Sequence, residues 1–167
     1  MYDPNSKTFS ELTSTDVVLP GETFLYFRGG SATATLTLAG AVKEVTASHS
    51  YTIAKGNYQF VARPWPVGFR LSDIDEIATW SALAGTASWG TGMDQIWRWD
   101  TASNGWVKYG YQKPRSGTAA WRKYDTSAKT FSELTDADAI AADEGFLYFR
   151  GGSATLILTF KAIKSAE

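Results

Sequence analysis

The segment TFLYFRGGSAT, residues 23–33, returns as GFLYFRGGSAT at residues 145–155, which is 122 positions further along the chain. The copy extends beyond this core, because residues 2–38 align without a gap on residues 124–160 with 23 of 37 positions identical. A constant offset without insertions indicates that one structural unit is used twice. The internal duplication is therefore the feature from which the rest of the chain is interpreted.

The centre of the repeat predicts a two-stranded hairpin. An apolar and aromatic run precedes a Gly-Gly pair, and an alternating run follows it. A glycine pair supplies the positive φ angles that a tight two-residue turn requires. We expect this hairpin to serve assembly through Phe24, Tyr26, Arg28, Gly29 and Gly30 in the first copy and Phe146, Tyr148, Arg150, Gly151 and Gly152 in the second.

The return strand of this hairpin differs between the copies. Ala34 and Thr35 of the first copy correspond to Leu156 and Ile157 of the second. Alternation of apolar and polar residues suits a strand with one wet face, whereas Leu156 and Ile157 make both faces of the second copy apolar. We therefore expect the second copy to be covered on both sides and the first copy to lie nearer an edge.

Turn patterns elsewhere predict further hairpins. The order aromatic, aspartate, polar tip, aromatic occurs at residues 2–9, 99–106 and 124–131, and it is typical of a hairpin corner with cross-strand aromatic residues. Residues 51–54 and 58–62 flank Lys-Gly-Asn, which predicts another short hairpin.

One short helix is expected at about residues 72–83. Ser72 can cap it, and Asp73, Asp75 and Glu76 lie in its first turn, where the helix dipole favours negative charge. The same acids lack the spacing of a calcium-binding loop, so capping is the interpretation that we adopt.

Together these elements predict an all-β fold, an antiparallel sandwich or barrel-like module of short strands with one short helix. We expect residues 1–167 to form a single compact β unit. Residues 50–160 read as a complete module that includes the second repeat copy, residues 124–160. Residues 2–38 duplicate only the final third of that module.

Composition excludes several classes of function. The chain has 167 residues and a net charge of −1, without the basic surplus that nucleic-acid binding needs. It has no apolar run long enough to span a membrane, so no membrane insertion is expected. The absence of cysteine and the single histidine predict no metal site and no cofactor. The first residues show neither a basic region nor an apolar run, so no signal peptide is expected in this sequence.

Catalytic groups are scarce as well. His49 is the only imidazole, it lies in a polar turn, and no Gly-x-Ser-x-Gly elbow is present. The 17 acidic residues mostly belong to turns, to the helix start or to the repeat loops. We therefore predict no catalytic residues and no enzymatic activity, and a small β-fold hydrolase ranks third among the hypotheses.

Aromatic residues are the strongest candidates for ligand binding. Trp97 and Trp99 are expected on one face of a strand, with Ile96 and Arg98 on the other. Rows of aromatic rings can stack on sugar rings, but large aromatic side chains also dominate the cores of small β domains. The candidate ligand-binding residues are Trp97, Trp99, Trp106, Tyr109, Tyr111 and Trp121.

The order DQIWRWD…GWVKY, residues 94–109, then a PGExFLYFR segment and an alternating Thr/Leu strand resembles uncharacterised modules of large secreted bacterial surface proteins. The first copy has the PGExFLYFR segment at residues 20–28, and the second copy departs from it, with Ala142 and Asp143 where the first has Pro20 and Gly21. The resemblance covers most of residues 50–160 and part of residues 2–38. It implies an extracytoplasmic, β-rich module without an assigned activity.

The sequence thus predicts a non-enzymatic structural or assembly module of a bacterial extracellular surface structure, located outside the cell or at its surface. Its expected partner is itself or a neighbouring repeat module, which it meets through the duplicated hairpin. The alternative is a carbohydrate-binding module that uses an exposed Trp/Tyr platform, with a glycan as its partner.

Overall fold

The computed structural model describes residues 2–3, 8–9, 48–63, 67–142 and 144–162. Over these ranges the chain is an all-β sandwich of antiparallel sheets with one short helix, and the sheets do not close into a barrel. The predicted fold class is therefore confirmed. The duplicated hairpin residues of the first copy (Phe24, Tyr26, Arg28, Gly29 and Gly30) lie outside the described residues.

The strands are β1 (Tyr2–Asp3), β2 (Thr8–Phe9), β3 (His49–Ile53), β4 (Tyr58–Ala62), β5 (Phe69–Arg70), β6 (Ala78–Trp80), β7 (Gln95–Asp100), β8 (Gly105–Gln112), β9 (Ala120–Asp125), β10 (Thr130–Ser132), β11 (Ala139–Ile140), β12 (Gly145–Phe149) and β13 (Leu156–Phe160). A 3-10 turn at Leu71–Asp73 leads into the single-turn helix α1 (Ile74–Ile77).

Two sheets make up the sandwich. The larger has six strands in the order β10-β9-β8-β7-β12-β4, and the smaller has three in the order β3-β13-β6. Two further pairs, β5 with β11 and β1 with β2, complete the described pairing. Strands β12 and β13 of the second repeat copy thus lie inside the two sheets, each with a partner on both sides.

The core lies between the six-stranded and the three-stranded sheet. Alternate residues of each strand point into it, as the two-residue period of a strand requires. Ring contacts join the sheets, because Trp80 of β6 stacks on Tyr148 of β12 with centroids 5.6 Å apart. The buried apolar residues that form this core cluster are Tyr51, Ile53, Val61, Phe69, Leu71, Ile74, Ala78, Ile96, Tyr109, Trp121, Ile140, Phe146, Tyr148, Leu156, Leu158 and Phe160.

Two predicted hairpins are wrong, and both are β-arches, connections that join strands in different sheets. β12 and β13 do not pair with each other, and neither do β3 and β4. Instead β4 pairs with β12, and β3 pairs with β13. The two arches touch where Gly56 N–H donates to the carbonyl of Arg150 at 2.9 Å and Arg150 N–H donates to that of Asn57 at 3.1 Å. Partners distant in sequence thus replace the local pairing.

The predicted corners at residues 99–106 and 124–131 are confirmed as hairpins. Trp99 lies opposite Trp106, and Tyr124 lies opposite Phe131. In the first copy Tyr2 lies opposite Phe9, which is the same register at the start of the repeat. The Asp100 and Asp125 carboxylates accept backbone N–H groups of their own turns, at 3.1 Å from Ser103 and 2.7 Å from Ser127.

The helix is shorter than the predicted range of about 72–83. α1 ends at Ile77, because residues 78–80 pair with β13. The backbone N–H and C=O groups of residues 78–80 form hydrogen bonds with β13 instead of continuing the helix. Ser72 does not cap α1, since its hydroxyl donates to the Asp73 carboxylate at 2.8 Å.

The expectation that the second copy is covered on both faces is also wrong. Leu156 and Leu158 of β13 are buried, whereas Ile157 between them is 46% exposed. On the same wet face the hydroxyl groups of Ser50 and Thr159 form a hydrogen bond of 2.8 Å. β13 therefore has one buried face and one solvent-exposed face.

Candidate functional site

The arch of the second repeat copy is formed around a buried ion pair. Arg150 immediately follows β12, and its side chain is almost completely buried. It donates to the Asp94 carboxylate at 2.5 Å, to the carbonyl of Ala82 at 3.0 Å and to that of Ala154 at 2.8 Å. A buried guanidinium is tolerated only when its charge is paired and its N–H groups are hydrogen-bonded, as they are here.

Asp94 connects this arginine to the backbone around it. One carboxylate oxygen accepts the Gly151 N–H at 3.0 Å, and the other accepts the Ala84 N–H at 2.8 Å. Asp94 is fully buried and lies immediately before β7. The pair Asp94–Arg150 therefore fixes the start of β7, the loop before it and the arch to one another.

The two glycines of the arch allow close approach rather than a hairpin turn. A Cβ atom at Gly151 would collide with the backbone of Met93, and one at Gly152 would collide with the guanidinium of Arg150. Their φ angles are not positive. Both positions require glycine because the packing around the buried ion pair leaves no room for a side chain, and not because of the turn geometry predicted from the sequence.

The structure brings together the five predicted hairpin residues of the second copy, but not on a surface. The side chains of Phe146 and Tyr148 lie in the core, and Arg150 and Gly152 are buried beside them. These residues hold the sandwich together in this chain. In the first copy the same residue types recur at positions that lie outside the described residues.

The six predicted ligand-binding residues divide between the two faces of the six-stranded sheet. Tyr109 and Trp121 are buried, and Tyr111 packs against the core beside them. Trp97, Trp99 and Trp106 are half-buried on the opposite face, which we call the outer face. The two-residue period of β8 separates Trp106 from Tyr109 and Tyr111, so the six residues do not form one site.

The Tyr109 hydroxyl is engaged inside the sandwich. It donates to Asp138 at 3.1 Å, which also accepts the Thr135 N–H at 2.9 Å and lies 3.0 Å from the Lys123 ammonium. Burial opposes ionisation of Asp138, but the hydrogen bonds from Thr135 and Lys123 outweigh it and lower the pKa of the carboxyl group. Burial raises the pKa of the Tyr109 hydroxyl above its ordinary value.

The tryptophans of the outer face pack edge to face. Trp106 meets Trp97 at 6.3 Å between ring centroids and Trp99 at 5.2 Å, with interplanar angles of 60° and 78°. The Lys108 ammonium lies over the Trp97 ring, 4.4 Å from its centroid. Trp97 also donates its indole N–H to Gln95 at 2.9 Å. Lys108 therefore occupies a face of the Trp97 ring, and Gln95 occupies its indole N–H, both of which a stacked sugar would need.

A groove of about 490 Å³ opens at the other end of this face, and its residues were not among the predicted site residues. It lies between the loop that holds Trp89 and the β9–β10 corner. Trp89 stacks on Tyr124, with centroids 4.4 Å apart and an interplanar angle of 13°. The available sequence signals were an isolated tryptophan in a loop of small residues and the aromatic corner that follows later in the chain.

The described residues contain no group of three or more histidine, cysteine or acidic side chains placed to hold a metal ion. Nor does any helix in the described part of the chain have the length and apolarity needed to cross a membrane.

Comparison of the chain with protein-family models, with curated proteins and with solved structures finds no match.

Proposed function

We propose that this protein is a non-enzymatic structural module that associates with copies of itself, or with neighbouring modules of the same type, through its duplicated segment. The setting that we propose is a bacterial extracellular surface assembly, on the basis of the sequence resemblance. One observation carries the proposal: the segment that supplies an interior strand to each of the two sheets is present twice in the chain.

The first copy repeats most of the residues that β12, the arch and β13 bury. Phe146, Tyr148, Arg150 and Leu158 are buried in the second copy. The corresponding residues of the first copy, Phe24, Tyr26, Arg28 and Leu36, are identical. A module without its own β12 and β13 could therefore accept the first copy with the same core contacts and the same arginine for its Asp94. Addition of a strand from another chain is a known mode of association.

Three buried positions differ, and all three are smaller in the first copy. Leu156, Phe160 and Ile140 of the second copy correspond to Ala34, Leu38 and Val18 of the first. A leucine-to-alanine change in a core costs about 2–5 kcal/mol because it leaves a cavity. The second copy should therefore fill its own module in preference to the first, which leaves the first copy for an acceptor whose site is open.

Engineered disulfides test this proposal directly, because the chain has no cysteine of its own. Leu147 of β12 lies opposite Phe60 of β4, and Leu25 is its counterpart in the first copy. Residues that lie directly opposite each other in antiparallel strands are close enough for a disulfide. Because a disulfide traps even an exchanged form that is populated only briefly, the variant Phe60→Cys/Leu25→Cys should slowly accumulate oligomers linked between chains, although the second copy fills its own module most of the time. The control Phe60→Cys/Leu147→Cys should form a link within one chain at once.

Other results would contradict self-association. A link between positions 25 and 60 within a single chain would show that the first copy occupies the module of its own chain. The absence of any link, with a monomeric mass at all concentrations, would show that the segment is not donated. The single variant Leu25→Cys measures random cross-linking between chains.

The carbohydrate alternative receives less support from the outer face. Of the six residues expected to form its platform, Tyr109 and Trp121 are buried, and Lys108 covers the Trp97 ring. The edge-to-face packing of Trp97, Trp99 and Trp106 presents ring edges where a sugar platform needs ring faces.

A further inference from the structure

The groove at Trp89 combines features that suit a small polar ligand with an apolar face. Its aromatic wall consists of Trp89, Tyr124 and Phe131, and the rings of Tyr124 and Phe131 lie 5.1 Å apart between centroids. Ser88 and Gln112 add a hydroxyl and an amide to the lining. A volume of about 490 Å³ falls within the range of small-molecule sites.

Lys129 supplies the one cation among the residues that line this groove. Its side chain is exposed, and no described residue forms an ion pair or a hydrogen bond with its ammonium group. The cation is therefore free to pair with an anionic group that enters the groove.

The backbone of Lys129 is unusual as well. Its φ angle is +55°, in the left-handed region that residues with a side chain rarely adopt. The corresponding position of the β7–β8 corner holds Asn104 at +50°, and asparagine tolerates this conformation much better. A residue held in an unfavourable conformation suggests a function for its side chain.

We infer that the groove between the Trp89 loop and the β9–β10 corner binds a sugar that carries a carboxylate. The apolar face of the sugar ring packs on the aromatic wall, as sugar rings do on tryptophan and tyrosine. Its carboxylate pairs with the Lys129 ammonium, and charge-assisted hydrogen bonds are among the strongest polar contacts in proteins. Ser88 and Gln112 hydrogen-bond the ring hydroxyls. This inference does not depend on self-association.

A titration of the isotope-labelled full-length chain, followed by NMR, tests the assignment. The probes are a disaccharide that contains glucuronic acid and a neutral disaccharide that contains glucose in its place. We expect the indole N–H signal of Trp89 to shift with both sugars. The acidic sugar should bind about tenfold more tightly at low salt, and added salt should reduce this preference.

Matched variants separate the cation from the aromatic wall. Lys129→Asn should remove the preference for the acidic sugar while the fold persists, since Asn104 shows that asparagine fits the same turn conformation. Lys55→Asn, at an exposed lysine in another turn, should leave the preference unchanged. Trp89→Ala should abolish binding of both sugars, whereas Trp99→Ala on the outer face should not.

Three results would overturn the inference. The first is the absence of any shift with the acidic sugar at millimolar concentration. The second is an undiminished preference for the acidic sugar in Lys129→Asn. The third is a set of shifts centred on Trp97, Trp99 and Trp106, which would place sugar binding at the opposite end of the outer face, away from the groove.

Discussion

Asp94 and Arg150 determine more of the local structure than any other residue pair described. They are 56 residues apart in sequence, and both side chains are almost completely buried. Their hydrogen bonds involve three backbone groups in two separate segments, Ala82 and Ala84 in one and Gly151 in the other. The polar atoms of a buried ion pair all need hydrogen-bond partners. The glycine pair that follows Arg150 lets the backbone come close enough for Gly151 to supply one of them.

Removal of one charge of this pair should be strongly destabilising. Asp94→Asn leaves the Arg150 charge buried without its counter-ion, and the expected loss is about 3–5 kcal/mol in the free energy of unfolding. Urea denaturation followed by fluorescence measures it. Asp75→Asn is the control, because Asp75 is exposed and its carboxylate accepts a hydrogen bond from Trp80. That control should lose less than about 1 kcal/mol.

A second variant covers the case in which Asp94→Asn does not fold. The double variant Asp94→Leu/Arg150→Met removes both charges and fills their space with apolar groups, so it should recover part of the lost stability. Losses of similar, small size in Asp94→Asn and Asp75→Asn would contradict the role that we assign to the ion pair.

At the scale of elements, the strand β13 shows how the repeat copies diverged. Leu156 is buried in the core and Ile157 is 46% exposed, although both are apolar. The first copy has Ala34 and Thr35 at these positions. The two differences therefore have different consequences: one changes the volume of the core, and the other changes only the polarity of a wet face.

The substitutions Leu156→Ala and Ile157→Thr convert the second copy to the first at these two positions, one at a time. Leu156→Ala should lower the free energy of unfolding by about 2–5 kcal/mol because it leaves a cavity. Ile157→Thr should change it by less than about 0.5 kcal/mol, as surface substitutions usually do. Thermal and urea unfolding of both variants would reveal the contrast. Equal losses would mean that β13 is covered on both faces after all.

The local sequence pattern was sufficient to predict some of the strand connections but not others. The hairpin β7–β8 and the corner β9–β10 follow the aromatic and aspartate pattern of the sequence. The chain between β3 and β4 looks equally like a hairpin, yet it joins two sheets. A strand of alternating residues fits either connection, so the alternation does not distinguish a hairpin from an arch.

At the scale of the molecule, the module contains two arches, β3–β4 and β12–β13, that lie against each other. β4 pairs with β12 in the six-stranded sheet, and β3 pairs with β13 in the three-stranded sheet. The arch of the second repeat copy supplies the interior strands β12 and β13, each of which has a partner on both sides. An element in this position cannot leave without opening both sheets. Replacement of one repeat copy by the other at this position therefore requires both sheets to open and form again.

This exchange of repeat copies makes a prediction about association. Leu156→Ala removes part of the advantage of the second copy over the first, so donation of the first copy to a neighbour should become more favourable. Light scattering over a wide concentration range should show that this variant associates at lower concentration than the unaltered chain.

The control for this measurement is Val61→Ala. Val61 is fully buried in β4, outside the repeat, so this variant loses core volume for either copy. It should destabilise the module without favouring exchange. If Val61→Ala and Leu156→Ala associate equally, general destabilisation rather than segment exchange is the cause.

The sequence by itself determined the duplication, the all-β class, the aromatic corners and most of the strands. Alternation and turn residues are local properties, and the duplication is found by comparing the sequence with itself. They are therefore visible without any knowledge of the fold.

Only the tertiary structure decided which strands pair, which aromatic residues are buried and where the helix ends. The Gly-Gly segment became an arch because Asp94, 56 residues away, pairs with Arg150. The helix ended at Ile77 because residues 78–80 pair with β13. Trp121 lies in the core and Trp97 on the outer face, because the pairing register places Trp121 opposite Tyr111 and Trp97 opposite Lys108, on opposite faces of the sheet. These outcomes depend on contacts between distant segments, which no local pattern encodes.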